Sequence, residues 1–345
     1  MRLSRIPLQG VRKNASVKAV LLAAAIALFW YARHVVLLIF AGILFALFLQ
    51  TLANWCSSWS RLNYRWSLLL TGTMLFISLA AAIWLFGNRI ADQAARLSET
   101  VPASINQLER QMEQTEQGKL LVQQFTKIGS WVSSDDAVSQ LTSGAMTAFD
   151  GMVALLIIGF IGLYGAISPQ LYTRGAIDLL PPERRERVLV ISNELAHELR
   201  HWMLGHLATM VIVGVLAAVG LSLLNIPEAI VLGLLAFFAE LIPYIGPIVA
   251  SLPAIVLGWS QSPMSAVYVT LLYLGIHIVE GYLLFPWIMR QAIKLPPALT
   301  ICGVVLFALT GGLLGAILAT PLTLVLMILV KKLYVESFLE KATSP

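Results

Sequence analysis

Glu240-Leu241-Ile242-Pro243-Tyr244-Ile245-Gly246-Pro247 interrupts residues 226–258, a stretch that is otherwise almost wholly apolar. Each proline removes a donor N–H and crowds the carbonyl four residues earlier, so a helix entering this octapeptide does not leave it straight. The amides and carbonyls set loose need partners in the protein or a wet cavity, because hydrocarbon offers none. A second apolar stretch, residues 295–330, is built the same way around Thr310-Gly311-Gly312. The two echo each other. Ile226-Pro227-Glu228-Ala229-Ile230 is matched by Leu295-Pro296-Pro297-Ala298-Leu299, Gly233 and Phe237 by Gly303 and Phe307, and Pro253 by Pro321. The offset stays at about seventy residues, the mark of an internal repeat. Each stretch exceeds the ~20 residues that a straight helix needs to cross hydrocarbon. Paired, internally broken segments of this kind are the pattern from which secondary transporters build a binding site near the midplane. The expected hairpin breaks are Pro243, Gly246 and Pro247 in the first copy, and Gly311, Gly312 and Pro321 in the second.

Composition places the whole chain in a bilayer. Hydrophobic residues make up 58% and charged residues 12%, with a mean hydropathy of +0.82. Soluble domains carry roughly a quarter charged residues. The net charge of +5 calls for no nucleic-acid partner, since the basic residues sit beside apolar spans, as the positive-inside bias predicts. Cys56 and Cys302 are far apart in apolar surroundings, give no metal spacing, and read as small core residues.

Outward from the repeats, the pattern predicts an all-α integral membrane protein of about six spanning helices plus two re-entrant or broken helical hairpins. The hairpins form an inverted repeat, and an extramembrane helical insertion precedes them. Residues 1–86 carry the N-terminal membrane helices, at about 19–32, 35–53 and 66–86; Arg2, Arg5, Arg12, Lys13 and Lys18 precede the first, which reads as a retained helix. Residues 87–147 turn soluble in character. Ile90, Ala94, Leu97 and Val101 fall at helical spacing, Pro102 punctuates, and Ser133-Ser134-Asp135-Asp136 has the look of a helix N-cap. Residues 148–204 hold a span and an amphipathic helix opened by Pro181-Pro182-Glu183, with Val188, Ile191, Leu195, Leu199 and Trp202 on one face and Arg184, Arg185 and Arg187 near the other. Such a helix suits the cytoplasmic interface. Residues 205–332 hold the transport repeats, about 205–258 and 264–330, and 333–345 a cytoplasmic tail. With the basic N-terminus inside, only two re-entrant segments put Arg290, Lys294 and Lys331-Lys332 all on the cytoplasmic side.

Four residues are candidates for the transport and ion-coupling site. Glu240 stands at the first break, and a carboxylate at membrane depth is a functional hypothesis by default. Capping the broken backbone is the structural alternative. Thr310 aligns with Glu240 at the second break, so one tip carries a titratable group and the other does not. His277 and Glu280, three residues apart in the span between the hairpins, share a helix face. Such a pair exchanges a proton near neutral pH or forms a structural hydrogen bond.

His197-Glu198-Leu199-Arg200-His201 formally satisfies the H-E-x-x-H zinc motif. It lies on the amphipathic helix, and His206 has the wrong spacing for a third ligand of the metzincin type. A zinc metallopeptidase is therefore one alternative function, and a passive channel or scaffold is another. With no Walker A motif in the chain, energy from ATP would need a separate subunit, and the leading expectation is transport driven by an ion gradient.

The motif string 240–247 with Pro253, Glu280-Gly281 with Pro286, Leu295-Pro296-Pro297, and the run Gly311-Gly312, Gly315, Ala319-Thr320-Pro321-Leu322 together resemble the autoinducer-2 exporter family, also called PerM-type permeases. The layout is similar over nearly the whole chain. His277 stands where the family usually has glutamine, and Tyr282 where it has asparagine. The resemblance implies a bacterial inner-membrane transporter. The residues themselves read as no enzyme, with no cofactor and no bound metal, and the basic clusters put both termini in the cytoplasm. The resemblance also implies a homo-oligomer, with a pentameric ring among the arrangements. Its cargo would be a small polar solute, or sodium exchanged for protons.

Overall fold

The computed structural model describes residues 32–60, 63–112, 144–284 and 295–339. The described residues are helical throughout apart from short turns, and contain no strand. In chain order the helices are α1 (Arg33–Ser60), α2 (Tyr64–Met112), α3 (Gly144–Ile167), α4 (Pro169–Asp178), α5 (Pro182–Leu223), α6 (Ala229–Ala239), α7 (Ile245–Gln261), α8 (Pro263–Val279) and α9 (Pro297–Val330). A π-helical turn, Glu280–Leu284, extends α8, and another, Lys331–Leu339, extends α9. Five of these helices are long and apolar enough to cross a membrane, or six if α3 and α4, bent by 90°, count as one broken span. The expected helix at 19–32, the cap cluster at 133–136, Pro286, Arg290 and Lys294 lie outside the described residues.

Two helices are longer than the pattern suggests. α2 runs 49 residues through both Gly87 and Pro102, so the expected insertion starts inside a helix that is already under way. α5 runs 42 residues, roughly 63 Å at 1.5 Å per residue, and the boundary expected at 204/205 falls in its middle. The expected interfacial helix and the following span are thus one rod. Its buried stripe passes from Ile191 and Leu199 through Gly205, Thr209 and Val213 to Leu221 without losing register, and no proline interrupts it. Cys302 lies exposed on α9 rather than in the core.

α6 and α7 form the first hairpin. Its arms meet closely at the tip, because a Cβ on Gly246 would fall on the Ala239 carbonyl. It seats on α5 through small residues: Gly233 against Ala218 and the Gly214 carbonyl, Gly214 against Phe237. Such pairs let helix backbones approach where no hydrophobic drive separates protein from lipid.

α9 forms the second hairpin. Gly312, at φ 62° and ψ −145°, reverses the chain in the middle of the helix. Across the bend, Gly303 faces Thr323 and Gly315 faces the Phe307 carbonyl. In a straight helix residues 303 and 323 would stand roughly 30 Å apart, so the two arms run antiparallel.

The hairpins enter from opposite ends of α5. The base of the first sits at the far end of α5, where Leu221 and Ile226 pack with Leu257 and the Gln261 side chain donates to the Asn225 carbonyl at 2.9 Å. The second packs Leu295, Leu324 and Ile328 around Leu195, Leu199 and Trp202. It leaves toward the start of α5, where Arg187 donates to the Lys332 carbonyl at 2.8 Å and the Lys332 ammonium meets Glu194 at 3.2 Å. Its tip, at Gly311, faces Leu37 of α1.

The distal part of α2 leans on the base of the first hairpin. Leu97 and Val101 pack on the core around Ala229, Leu232 and Leu257. Glu228, at the N-cap of α6, makes no side-chain cap, and Gln93 supplies one instead by accepting from the Val231 N–H at 3.2 Å.

Candidate functional site

Three elements converge on one polar cluster, buried at Glu240 and half-buried at His277 and Glu280: the tip of the first hairpin, the middle of α5, and the turn that ends α8. Glu240 closes α6, its N–H bonded to the Ala236 carbonyl at 3.1 Å. Beyond it four amides of the tip find main-chain partners. Leu241 and Ile242 N–H groups bond to the Phe238 and Ala239 carbonyls, while Ile245 and Gly246 N–H groups bond to those of Pro243 and Ile242. The main chain freed by the prolines therefore does not draw on the Glu240 carboxyl as its cap. That carboxyl is left for other work.

Glu240 is 3% exposed, and its Oε2 is buried with no hydrogen-bond partner. An orphaned buried carboxyl oxygen is costly and calls for an explanation. Glu280 lies within electrostatic and hydrogen-bonding reach of it. Two carboxyl groups so placed sit together comfortably only with a proton or a cation between them. His277 Nδ1 bonds Glu280 Oε2 at 2.9 Å, and its Nε2 is buried without a partner. The π-helical turn at Glu280 alters the helical register just where this carboxyl is needed, a device frequent at functional sites. Tyr244, at φ +67°, stands close enough to Glu280 to feel its charge.

The fourth member of the cluster is His206, which sequence reasoning considered only as a zinc ligand. It faces Glu280 and the backbone of Glu240. The signal that could have found it was plain: an ionisable residue inside the apolar run 205–224.

The structure thus gathers Glu240, Glu280 and His277, and places Thr310 differently. The Thr310 hydroxyl donates back into its own helix, to the Leu306 carbonyl at 3.0 Å. Pro243 lies in the first tip, and Gly246 and Pro247 in the first turn of α7. Gly311 and Gly312 form the second bend, whereas Pro321 is buried within the second arm, where the helix continues through it.

On the H-E-x-x-H segment, the His197 and His201 rings lie with centroids 4.2 Å apart and planes tilted by 53°, and His201 Nδ1 bonds the His197 carbonyl at 2.9 Å. Among the described residues no group of three His, Cys, Asp or Glu side chains is placed to hold a metal ion. Arg200, between them in sequence, donates to Gln50 of α1 at 2.7 Å, and the Gln50 amide donates to the Gly165 carbonyl of α3 at 3.2 Å. The segment anchors α5 to the N-terminal helices.

Known proteins resemble this chain in sequence. The model of the AI-2E family transporters matches residues 19–334. A protein named for transport, YueF of Bacillus subtilis (strain 168), is 25% identical over 267 residues, covering 74% of this chain and 71% of its own length. YrrI of the same organism, also named for transport, is 25% identical over 187 residues, 54% of this chain and 53% of YrrI. The AI-2 transport protein TqsA of Escherichia coli (strain K12) is 31% identical over 132 residues, 37% of this chain and 38% of TqsA. With a family match across nearly its whole length, this multi-pass membrane protein belongs to the AI-2E family of transporters.

Proposed function

We propose that this protein is a secondary transporter whose two opposed hairpins carry a small polar solute, or exchange cations, against a proton or sodium gradient. The Glu240–Glu280 pair is its ion-coupling site. One observation carries the reading: a carboxyl at the tip of a broken helix, with a buried and unpartnered Oε2, faces a second carboxyl. A pair with a shared proton can release it as a cation arrives, and regain it as the cation leaves. The helices on either side supply the movement. A hairpin held to α5 by glycines and alanines can rock without dragging large side chains out of their pockets. The protein works in a bacterial inner membrane with both termini in the cytoplasm, following the basic clusters. It works as a homo-oligomer, as family resemblance implies, and the solute carried by TqsA, autoinducer-2, is the first cargo to try.

Dicyclohexylcarbodiimide, which attacks protonated carboxyls in apolar surroundings, tests the site directly. The purified protein is expected to be labelled at Glu240, and sodium or alkaline pH is expected to slow the labelling. Labelling that spares Glu240, or that neither sodium nor pH alters, would remove the pair from ion coupling.

A further inference from the structure

His206 has chemistry that neither the fold nor the carboxyl pair uses. It occupies the stripe of α5 that otherwise buries Gly205, Thr209, Met210 and Val213, so its ring sits where polar groups need partners. A histidine kept for structure alone engages its ring nitrogens with fixed partners. His201 shows the ordinary pattern, with its Nδ1 on the carbonyl four residues back. His206 differs, because its Nε2 is buried and unbonded.

Its ring is also held in place. The indole of Trp202 stacks on it with centroids 4.9 Å apart and planes 17° off parallel. Stacking fixes the plane and leaves the ring edge to face what lies beside it. The groups there are the Glu280 carboxyl, from the turn after α8, and the backbone of Glu240, from the hairpin tip. His277 and Tyr244 stand against the same Glu280. His206 therefore belongs to the long α5 rod, and its neighbours belong to the parts that would move against it.

We propose that His206 is a positioning residue of the transport site, a latch on α5 that exchanges a proton with the Glu280 carboxyl and so fixes or frees the hairpin tip. In the step itself the Nε2 lone pair takes the carboxyl proton, leaving an imidazolium beside a carboxylate; the reverse step restores the neutral pair. The imidazolium is drawn both to the Glu240 backbone and to the Glu280 carboxylate, and so holds the tip. The neutral ring loses the attraction to Glu280, and the tip is released. This rests on the reading of Glu240 and Glu280 as the coupling pair, but its test does not depend on transport.

Trp202 is the built-in probe, since an imidazolium stacked on an indole quenches its fluorescence and a neutral imidazole does so far less. The experiment is a pH titration of tryptophan emission in purified protein, taken as the difference between wild type and Trp202→Phe. A fall in Trp202 emission with falling pH is expected. It should vanish in His206→Gln and change its midpoint in Glu280→Gln. A Trp202 signal that is flat with pH, or one whose midpoint Glu280→Gln leaves in place, would overturn the proposal even if carbodiimide labelling of Glu240 succeeds. Should His206→Gln not fold, the wild-type, Trp202→Phe and Glu280→Gln titrations decide the matter without it.

Discussion

Glu240→Gln is expected to abolish gradient-driven transport while the protein still folds, assembles and resists heat at least as well as wild type. The two halves of that expectation come from one feature. The Glu240 carboxyl is buried, its Oε2 is unpartnered, and the amides of the tip bond to main-chain carbonyls instead. A group that supports nothing in the fold can be replaced by an isosteric amide at no cost. Removing a buried ionisable group that lacks a full set of partners is often stabilising by ~1 kcal/mol or more. The coupling step, by contrast, needs a proton that comes and goes, and an amide has none to give. Glu280→Gln is likewise expected to leave the fold intact, because the amide can still accept from His277 at the position of the 2.9 Å bond. Thermal melts and size-exclusion profiles check the first half, and flux in vesicles the second. A Glu240→Gln protein that misfolds would show that the carboxyl is a structural cap after all.

The largest effect on stability is expected at Gly246. A Cβ there would land on the carbonyl of Ala239, which is backbone on the opposite arm and cannot swing aside. Gly246→Ala should cost more than ~3 kcal/mol, among the larger penalties for a single substitution, and deplete folded protein in the membrane. Gly312→Ala is expected to cost about 1–3 kcal/mol for a different reason, since its φ of 62° with ψ −145° belongs to a region that only glycine enters readily. Gly275, in α8, is the control. Nothing lies within 4 Å of its Cβ position, so Gly275→Ala should be neutral or slightly stabilising. Equal melting points for all three variants would mean that the hairpins are not packed as described.

Much of this architecture is legible in the chain because breaking a helix in hydrocarbon demands special residues. Pro243, Gly246, Pro247 and Gly312 announce their turns, and the echo between the two stretches announces a repeat. Lengths are harder to read. The amphipathic face ending at Trp202 and the apolar run starting at Gly205 look like two helices by composition, yet one stripe of small and apolar residues carries α5 straight through. Prolines alone also mislead. Pro321 removes one donor without bending the chain, because the glycine at 312 takes the reversal. The cluster itself was half visible. His277 and Glu280 are three residues apart, and helical spacing brings them together. His206 and Glu240 sit on different helices, and no periodicity within either says that their faces meet. Alignment of the repeats likewise pairs Thr310 with Glu240 by position, while the structure turns the Thr310 hydroxyl into its own helix.

Flux in proteoliposomes under an imposed gradient tests the central claim most directly. Vesicles holding the purified wild-type protein and a trapped pH dye receive a sodium pulse, and a second set is loaded with autoinducer-2 and given a proton gradient. Ion-coupled transport predicts that at least one set responds: internal pH shifts with the sodium pulse, or solute leaves with the proton gradient. The response should collapse when an ionophore dissipates the gradient, and be absent with Glu240→Gln. Solute passing equally well with and without a gradient, or a response that Glu240→Gln leaves unchanged, would contradict it.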